Sequence, residues 1–348
     1  MSQEEKKSVQ ISEIELPKDQ YAHSGAPTEW WWHVGTLVSA DGRKFGFEIN
    51  ATGMSTYAFT QIEITDVKNQ CNYQKVTPII PCPPNWAEYD QTKPWFVQLN
   101  GSEKDPTNGS IGMQEMYGTP LNMAVQASFV DATTNTVCKL NLQLAQQGPP
   151  LLVWGTGCNL VNPDGKTPIT RNNYYYSLTH LKASGTITIG GEDIQVTGLT
   201  WMDHEYGAFP NGSGGGKVIW LLQDLQVTND LHLSNYTQFG VMPQENVPMK
   251  SNATLLQNGK STFVETTTTP MGPIFTSPKG VAYFMRFKVE INCPELLATF
   301  MVESSYPNQL FNDGPGPDVY EGVGIFQATF GTAQVIVSGN AWIEQNLG

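Results

Sequence analysis

Asp203, His204, Glu205 and Tyr206 stand in a row, behind Trp201-Met202 and ahead of Gly207. Asp, Glu, Lys and Arg make up only 15% of the chain, so this density at the end of an apolar, β-rich segment stands out. Ionisable groups are costly to bury unless paired, and functional sites are where such costs are tolerated. An apolar wall raises the pKa of a carboxylic acid, and a neighbouring carboxylate raises that of a histidine. Either group, held protonated beside indole rings, is a usable general acid. A second cluster, Glu29-Trp30-Trp31-Trp32-His33, lies near the start of the chain. In extended segments alternate side chains share a face. Trp201, Asp203 and Glu205 then oppose Met202, His204 and Tyr206, while Glu29, Trp31 and His33 oppose Trp30, Trp32 and Val34. Each cluster sends at least one polar side chain inward among aromatics, and the two are expected to meet in one pocket.

Plainer readings exist for both clusters. Trp-rich strands ordinarily form core, and Glu29 could simply hold a structural arginine or a backbone amide. Three adjacent ionisable residues at 203–205 are harder to explain by packing. His33, His204 and a carboxylate could make a metal site of the two-histidine, one-carboxylate kind. The chain has five histidines (His23, His33, His180, His204, His232) and no ligand-spaced pair, so neither a metal nor another cofactor is expected. Asn172-Asn173-Tyr174-Tyr175-Tyr176 adds phenols, either to a half-buried strand or to the pocket. No G-x-S-x-G, P-loop or G-x-G-x-x-G pattern appears, which leaves serine-hydrolase, nucleotide and dinucleotide readings without support.

The elements that must position these residues are strands. Residues 35–50 read as a hairpin turning at Asp41-Gly42, and 59–67 alternates. The stretches 121–127, 127–131 and 137–144 suggest a meander, and 184–205 a hairpin turning at Gly190-Gly191. Further strands are expected at 217–227, 231–241, 281–291, 298–304, 320–330 and 333–344. Residues 112–117 and 294–297 are expected to form short helical turns. Many short strands with turns between them imply a sandwich or barrel. A new hairpin series after 176–183 suggests two domains, 1–183 and 184–348. The loops 77–85 and 210–216 are candidate lids.

Composition narrows the function classes. The chain has 348 residues, 33 Gly, 23 Pro and a formal net charge of −13. Nucleic acid needs clustered Lys and Arg, and an anionic membrane surface needs the same; both are disfavoured as partners. No apolar run reaches the length of a membrane span. Residues 1–18 lack the apolar core of a signal peptide, so a cytoplasmic location is expected. Cys71, Cys82, Cys138, Cys158 and Cys293 show no C-x-x-C spacing; at most Cys71 and Cys82 could bridge across a loop.

The two clusters also carry a resemblance. Glu29-Trp30-Trp31 with Gly35 and Leu37, Tyr174-Tyr175-Tyr176-Ser177 with Gly185, Gly198 and Trp201 with Asp203-His204-Glu205-Tyr206-Gly207, and Tyr320-Glu321-Gly322 with Gly339 and Glu344 follow in order along the chain. Together they resemble the carotenoid 1,2-hydratase (hydroxyneurosporene synthase) and AttH-like family, which neighbours the lipocalin-like Diels–Alderases. The resemblance implies an all-β protein of two packed lipocalin-like barrel or sandwich domains with an apolar pocket. It also implies chemistry on C=C bonds without a cofactor. Asp203, His204, Glu205 and Tyr206 are the expected catalytic residues. Glu29, Trp30, Trp31, Trp32, His33, Tyr175, Trp201, Trp220 and Gln223 are the expected substrate contacts, with Asp224 beside them. Trp32 and His33, and the Gln223-Asp224-Leu225 stretch, depart from the family pattern where the pocket should lie, which points to a substrate other than a carotenoid. The expected activity is acid-catalysed hydration or cyclisation of an apolar terpenoid- or polyketide-type molecule in natural-product biosynthesis. A pericyclase that folds a polyene or enone in the same pocket, and a carrier without chemistry, are the alternatives.

Overall fold

The computed structural model describes residues 14–101, 104–159, 172–208, 219–237, 240–314, 318–331 and 334–348. Two antiparallel sheets hold nearly all of it, with no α-helix among the described residues. The first sheet is curled and open. Its main path runs Cys71–Ile79, Ala58–Asp66, Lys44–Met54, Thr28–Ser39, Glu192–Gly207, Asn173–Ile189, Val137–Gln146, Thr119–Val130, Ser110–Met116 and Phe96–Leu99. The second runs Leu297–Ser304, Ala282–Asn292, Lys260–Thr276, Met249–Gln257, Leu231–Thr237, Trp220–Thr228, Val335–Asn346 and Val319–Phe330. Leu297–Ser304 then pairs with Val319–Phe330 and closes the ring into an eight-stranded barrel. These are the two lipocalin-like units that the resemblance implied.

Alternation of apolar and polar residues gives each unit its core. Phe45, Phe47, Ile49, Ile62, Val125, Leu140 and Leu142 fill the curl of the first sheet. Leu221, Leu233, Phe287, Phe300 and Ile343 fill the barrel. A third cluster, with Val34, Trp201, Leu256, Val323 and Trp342, joins the back of the first sheet to the outside of the barrel. Polar bonds fix that junction: Gln226 Nε2 donates to the carbonyls of Thr179 (2.9 Å) and Thr200 (3.0 Å), and Lys75 pairs with Asp313 at 3.0 Å.

Several elements differ from the sequence reading. Residues 112–117 fall mostly in the strand Ser110–Met116, with no helical turn; Ile111 and Met113 are buried on either side of a half-buried Gly112, the period of a strand. The expected break in the meander at 127 is absent, because Thr119–Val130 is one strand. Met249–Gln257 and Lys260–Thr276 went unanticipated, although Asn258-Gly259 between them is a hairpin-turn dipeptide with both residues at positive φ. The strand Asn173–Ile189 runs unbroken through residue 183, and Glu192–Gly207 pairs with it in the first sheet. We therefore propose that the domain boundary lies within 208–219, not at 183/184. The loop 210–216 lies outside the described residues. All five cysteines are free, Cys71 and Cys82 included.

Two motif glycines are needed for close backbone approach. A Cβ at Gly198 would lie 2.1 Å from the Thr36 carbonyl oxygen, and one at Gly185 2.0 Å from that of Asn141. Gly198→Ala should cost about 1–3 kcal/mol through forced separation of the strands and lower the thermal midpoint, whereas Gly112→Ala, with open space around it, should cost far less. Thermal unfolding of the two variants side by side checks this.

Candidate functional site

The strand Thr28–Ser39 lies against Glu192–Gly207 with Trp30 opposite Glu205, Trp31 opposite His204 and Trp32 opposite Asp203. The two clusters are thus cross-strand neighbours. They do not form one pocket. The pleat sends Glu29, Trp31, His33, His204 and Tyr206 into the curl of the first sheet, and Trp30, Trp32, Trp201, Asp203 and Glu205 onto the face that meets the barrel.

Inside the curl, Glu29 Oε1 is shared by His23 Nδ1 at 2.7 Å and His204 Nε2 at 2.9 Å. The other carboxylate oxygen of Glu29 accepts the His23 backbone N–H at 2.9 Å. His204 Nδ1 lies 3.0 Å from the Tyr176 hydroxyl, and His23 Nε2 lies 3.4 Å from Asp19. Trp31 stacks on His204 with centroids 4.3 Å apart, and His23 stacks on Tyr206 at 3.5 Å. Burial alone would raise the Glu29 carboxyl, but the bonds from His204 and His23 outweigh it and hold the group below the usual carboxylate range. Burial opposes charge on His23 as well, yet Asp19 and Glu29 bring it up to about 9. His204, deeper, is pushed down by desolvation against the pull of Glu29. The network is therefore a charged His23–Glu29 pair with His204 bonded through Nε2 to the same carboxylate oxygen. His33 sits fully buried with neither ring nitrogen bonded, and desolvation takes it down to about 3.

The other face holds a different chemistry. Asp203 Oδ1 accepts from Ser177 Oγ at 2.5 Å and from Trp201 Nε1 at 2.9 Å. Glu205 Oε1 accepts from Asn173 Nδ2 at 2.6 Å. The barrel presents Asp224 and Glu344, whose carboxylate oxygens come within 4.8 Å of those of Asp203. Glu321, opposite Glu344 in register, accepts from Trp342 Nε1 at 3.0 Å, and Glu48 and Glu63 extend the group along the first sheet. All seven carboxyls are buried, and no lysine or arginine pairs with any of them among the described residues.

Desolvation therefore keeps protons on. Burial lifts Asp203 to about 6 against the bonds from Ser177 and Trp201. It lifts Glu344 to about 8, helped by Asp203, and Glu63 to about 8 against Asn72 and Thr65. Glu205, Asp224, Glu321 and Glu48 are raised well above the carboxylate range, first by burial and then by their acidic neighbours. At neutral pH the group holds one poised carboxylate, Asp203, among protonated acids. Half-buried aromatics stand around it: Trp30, Trp32, Trp154, Tyr175, Trp220 and Tyr236. Trp30 and Trp32 meet edge to face at 6.5 Å, and Trp154 and Tyr175 at 5.9 Å.

Of the expected contacts, Trp30, Trp32, Tyr175, Trp201 and Trp220 lie on this face with Asp203 and Glu205. Gln223 does not: it points into the barrel, where it accepts from Asn235 Nδ2 at 2.7 Å. The neighbouring Asp224 takes the place expected of it, because one residue of offset on a strand reverses the face. Glu48, Glu63 and Asp19 were missed. Glu48 and Glu63 each sit singly in an apolar strand run (FGFEINA, QIEIT), and that isolation was the available signal.

The chain belongs to the AttH-like family. The family profile matches residues 7–346. Among solved structures, an AttH from Nitrosomonas europaea superposes with a TM-score of 0.74 at 17% identity, over 97% of each chain. Kievitone hydratase from Nectria haematococca superposes with a TM-score of 0.70 at 15% identity, over 97% of this chain and 94% of that one. At such identities the likeness establishes the fold. No curated protein matches the chain in sequence.

Two outcomes follow from the two faces. Glu29→Ala strips both histidines of their shared acceptor and should cost about 3–5 kcal/mol, read from the urea midpoint. On the opposite face, a carboxyl raised in the folded state keeps a proton that the unfolded chain has released. Stability from Glu344 and Glu63 is thus fullest below their ordinary value of 4.5 and is lost as pH rises towards about 8. Glu344→Gln should therefore raise the thermal midpoint at pH 8.5 by about 2–4 °C for each kcal/mol recovered, and change it little at pH 5.

Proposed function

We propose that the junction between the sheet and the barrel is the active site of a cofactor-independent enzyme that adds water or an internal nucleophile to a C=C bond of an apolar small molecule. One observation carries this reading: seven buried carboxyls gathered with no lysine or arginine partner among the described residues, inside a ring of half-buried indoles and phenols. The membership of a hydratase in the same fold supports it.

The chemistry follows from the arrangement. Glu344, Asp224 or Glu205 gives its proton to one alkene carbon and becomes a carboxylate. The other carbon becomes cationic and is stabilised by the π faces of Trp30, Trp32 and Trp220 and by the new negative charge. Water adds to that carbon and releases a proton to Asp203, which Ser177 and Trp201 hold in place. Transfer within the contiguous acid cluster returns the proton and completes the cycle. An internal hydroxyl or alkene in place of water gives cyclisation. Terpenoid- and polyketide-type substrates, as in natural-product biosynthesis, suit a site walled by indoles and phenols with no basic residue among the described residues.

The test is incubation of the protein with a small-molecule extract of its source in H₂¹⁸O, with products read by mass spectrometry. Hydration gives a product heavier by one labelled water, and cyclisation by an internal nucleophile gives an unlabelled isomer with solvent deuterium at carbon when run in D₂O. An isomer with neither label means a pericyclic reaction, and a ligand recovered unchanged means a carrier; either sinks the proposal. Asp203→Asn and Glu344→Gln should each lower kcat by at least about 100-fold. With a substrate in hand, kcat/KM should follow a bell with apparent limbs near 6 and 8, from Asp203 and Glu344 as a coupled set.

A further inference from the structure

The strand Asn173–Ile189 grips the acid strand at two places. Residues 173, 175 and 177 share a face, and in the register Ser177 stands opposite Asp203 and Tyr175 opposite Glu205. Ser177 Oγ and Trp201 Nε1 both donate to Asp203 Oδ1, and two donors on one oxygen favour the carboxylate. Glu205 has a single printed donor of this kind, Asn173 Nδ2, at 2.6 Å from Oε1. An amide nitrogen only donates. Oε1 is therefore the carbonyl oxygen of the protonated group, and the proton rests on Oε2. Burial, helped by the charge of Asp203, keeps that proton on.

Asn173 carries a cost in doing this. It is buried, at 2% exposed, and its Oδ1 has no partner, which an amide placed for packing alone would avoid. Only its donor end is used, and it is used on a carboxyl. Glu205 is also the acid best placed to meet a ligand. Both oxygens of Asp224 are buried without a partner and present no surface to a substrate. Glu344 approaches Asp203 from the barrel, where it serves proton return. Glu205 shares the strand and the face of Asp203. Their Cα atoms are about 7 Å apart by strand geometry, which leaves room for one water between acid and base. Half-buried Trp30 stands opposite Glu205 on the other neighbouring strand.

We propose that Asn173 is the positioning residue that fixes Glu205 as the general acid, with the acid proton on Oε2 towards the substrate; this role presupposes the active-site reading of the junction. In the step, the Oε2–H bond breaks as a C–H bond forms at one alkene carbon. The electron pair left behind spreads over both oxygens of Glu205. The bond from Asn173 Nδ2 to Oε1 then becomes charge-assisted and strengthens. A contact that is stronger in the transition state than in the ground state lowers the barrier. Water adds to the other carbon and gives its proton to Asp203.

Two measurements on the intact protein test this. The first needs no substrate. Infrared difference spectra at pH 7 between the protein and Glu205→Gln identify the carbonyl band of protonated Glu205. A carbonyl that loses a hydrogen bond absorbs at higher frequency, so Asn173→Ala should move that band up; Asn173→Ser, with its shorter side chain, is read the same way if the alanine variant does not fold. The second is the initial rate of ¹⁸O uptake by the product formed from the source extract. Glu205→Gln should lower it at least about 100-fold and Asn173→Ala about 10-fold. The double variant should be no slower than Glu205→Gln, because Asn173 acts only through that carboxyl. No acid band lost in Glu205→Gln, a band unmoved in the Asn173 variants, or additive losses of rate overturn the proposal. An extract that yields no product sinks the junction reading instead, and the infrared result still decides what Asn173 does to Glu205.

Discussion

The alternation of a single β-strand governs this molecule. Asp203, His204 and Glu205 are adjacent in sequence, yet a pleated backbone cannot send adjacent side chains to the same side. His204 must enter the interior of the first sheet, where only a complete hydrogen-bonded set makes it tolerable. Glu29, His23 and Tyr176 supply that set. Asp203 and Glu205 must leave by the other face, which is too polar to be core and too apolar to be surface. The barrel covers it and brings Asp224 and Glu344 of its own.

The two faces solve the same desolvation problem in opposite ways. Inside the curl, opposite charges meet: Glu29 is ionised because His23 is. Around the acid cluster no lysine or arginine is supplied among the described residues, and the carboxyls are kept neutral by protons instead. The first solution gives fixed structure. The second leaves groups that exchange protons near neutral pH, which is where general acids operate best. Residues with the strongest motif signal therefore divide between the ion-paired interior, His204 and Tyr206, and the proton-holding junction, Asp203 and Glu205.

Much of this was legible in the sequence, and the failures have physical causes. Strict alternation around Asp41-Gly42 and Gly190-Gly191 marked the hairpins, and the run at 201–207 marked the site strand. The split of the two clusters into two faces was implicit in the same period of two, but the assumption of one pocket overrode it. The expected break at 176–183 rested on a new hairpin series starting there, whereas in the structure Asn173–Ile189 is one strand, with Gly185 inside it where Asn141 approaches. Glu344 and Asp224 could not be assigned to the site by spacing: they meet Asp203 only because the outside of one barrel lies on the back of another sheet, and no local pattern encodes such a contact.

The late arrival of the barrel has a consequence for biosynthesis. Asp203, Glu205, Glu48 and Glu63 precede Asp224 and Glu344 in the chain, and the strand that bears Glu344 is the last in sequence. With the barrel undocked, the back of the first sheet is wet and these carboxyls ionise at their ordinary values. A nascent face studded with Trp30, Trp32 and Trp201, which would otherwise be a template for aggregation, then carries a repulsive negative charge. Docking of the barrel expels the water, returns the protons and discharges that guard. The same side chains thus serve as solubilising charges during synthesis and as buried acids afterwards.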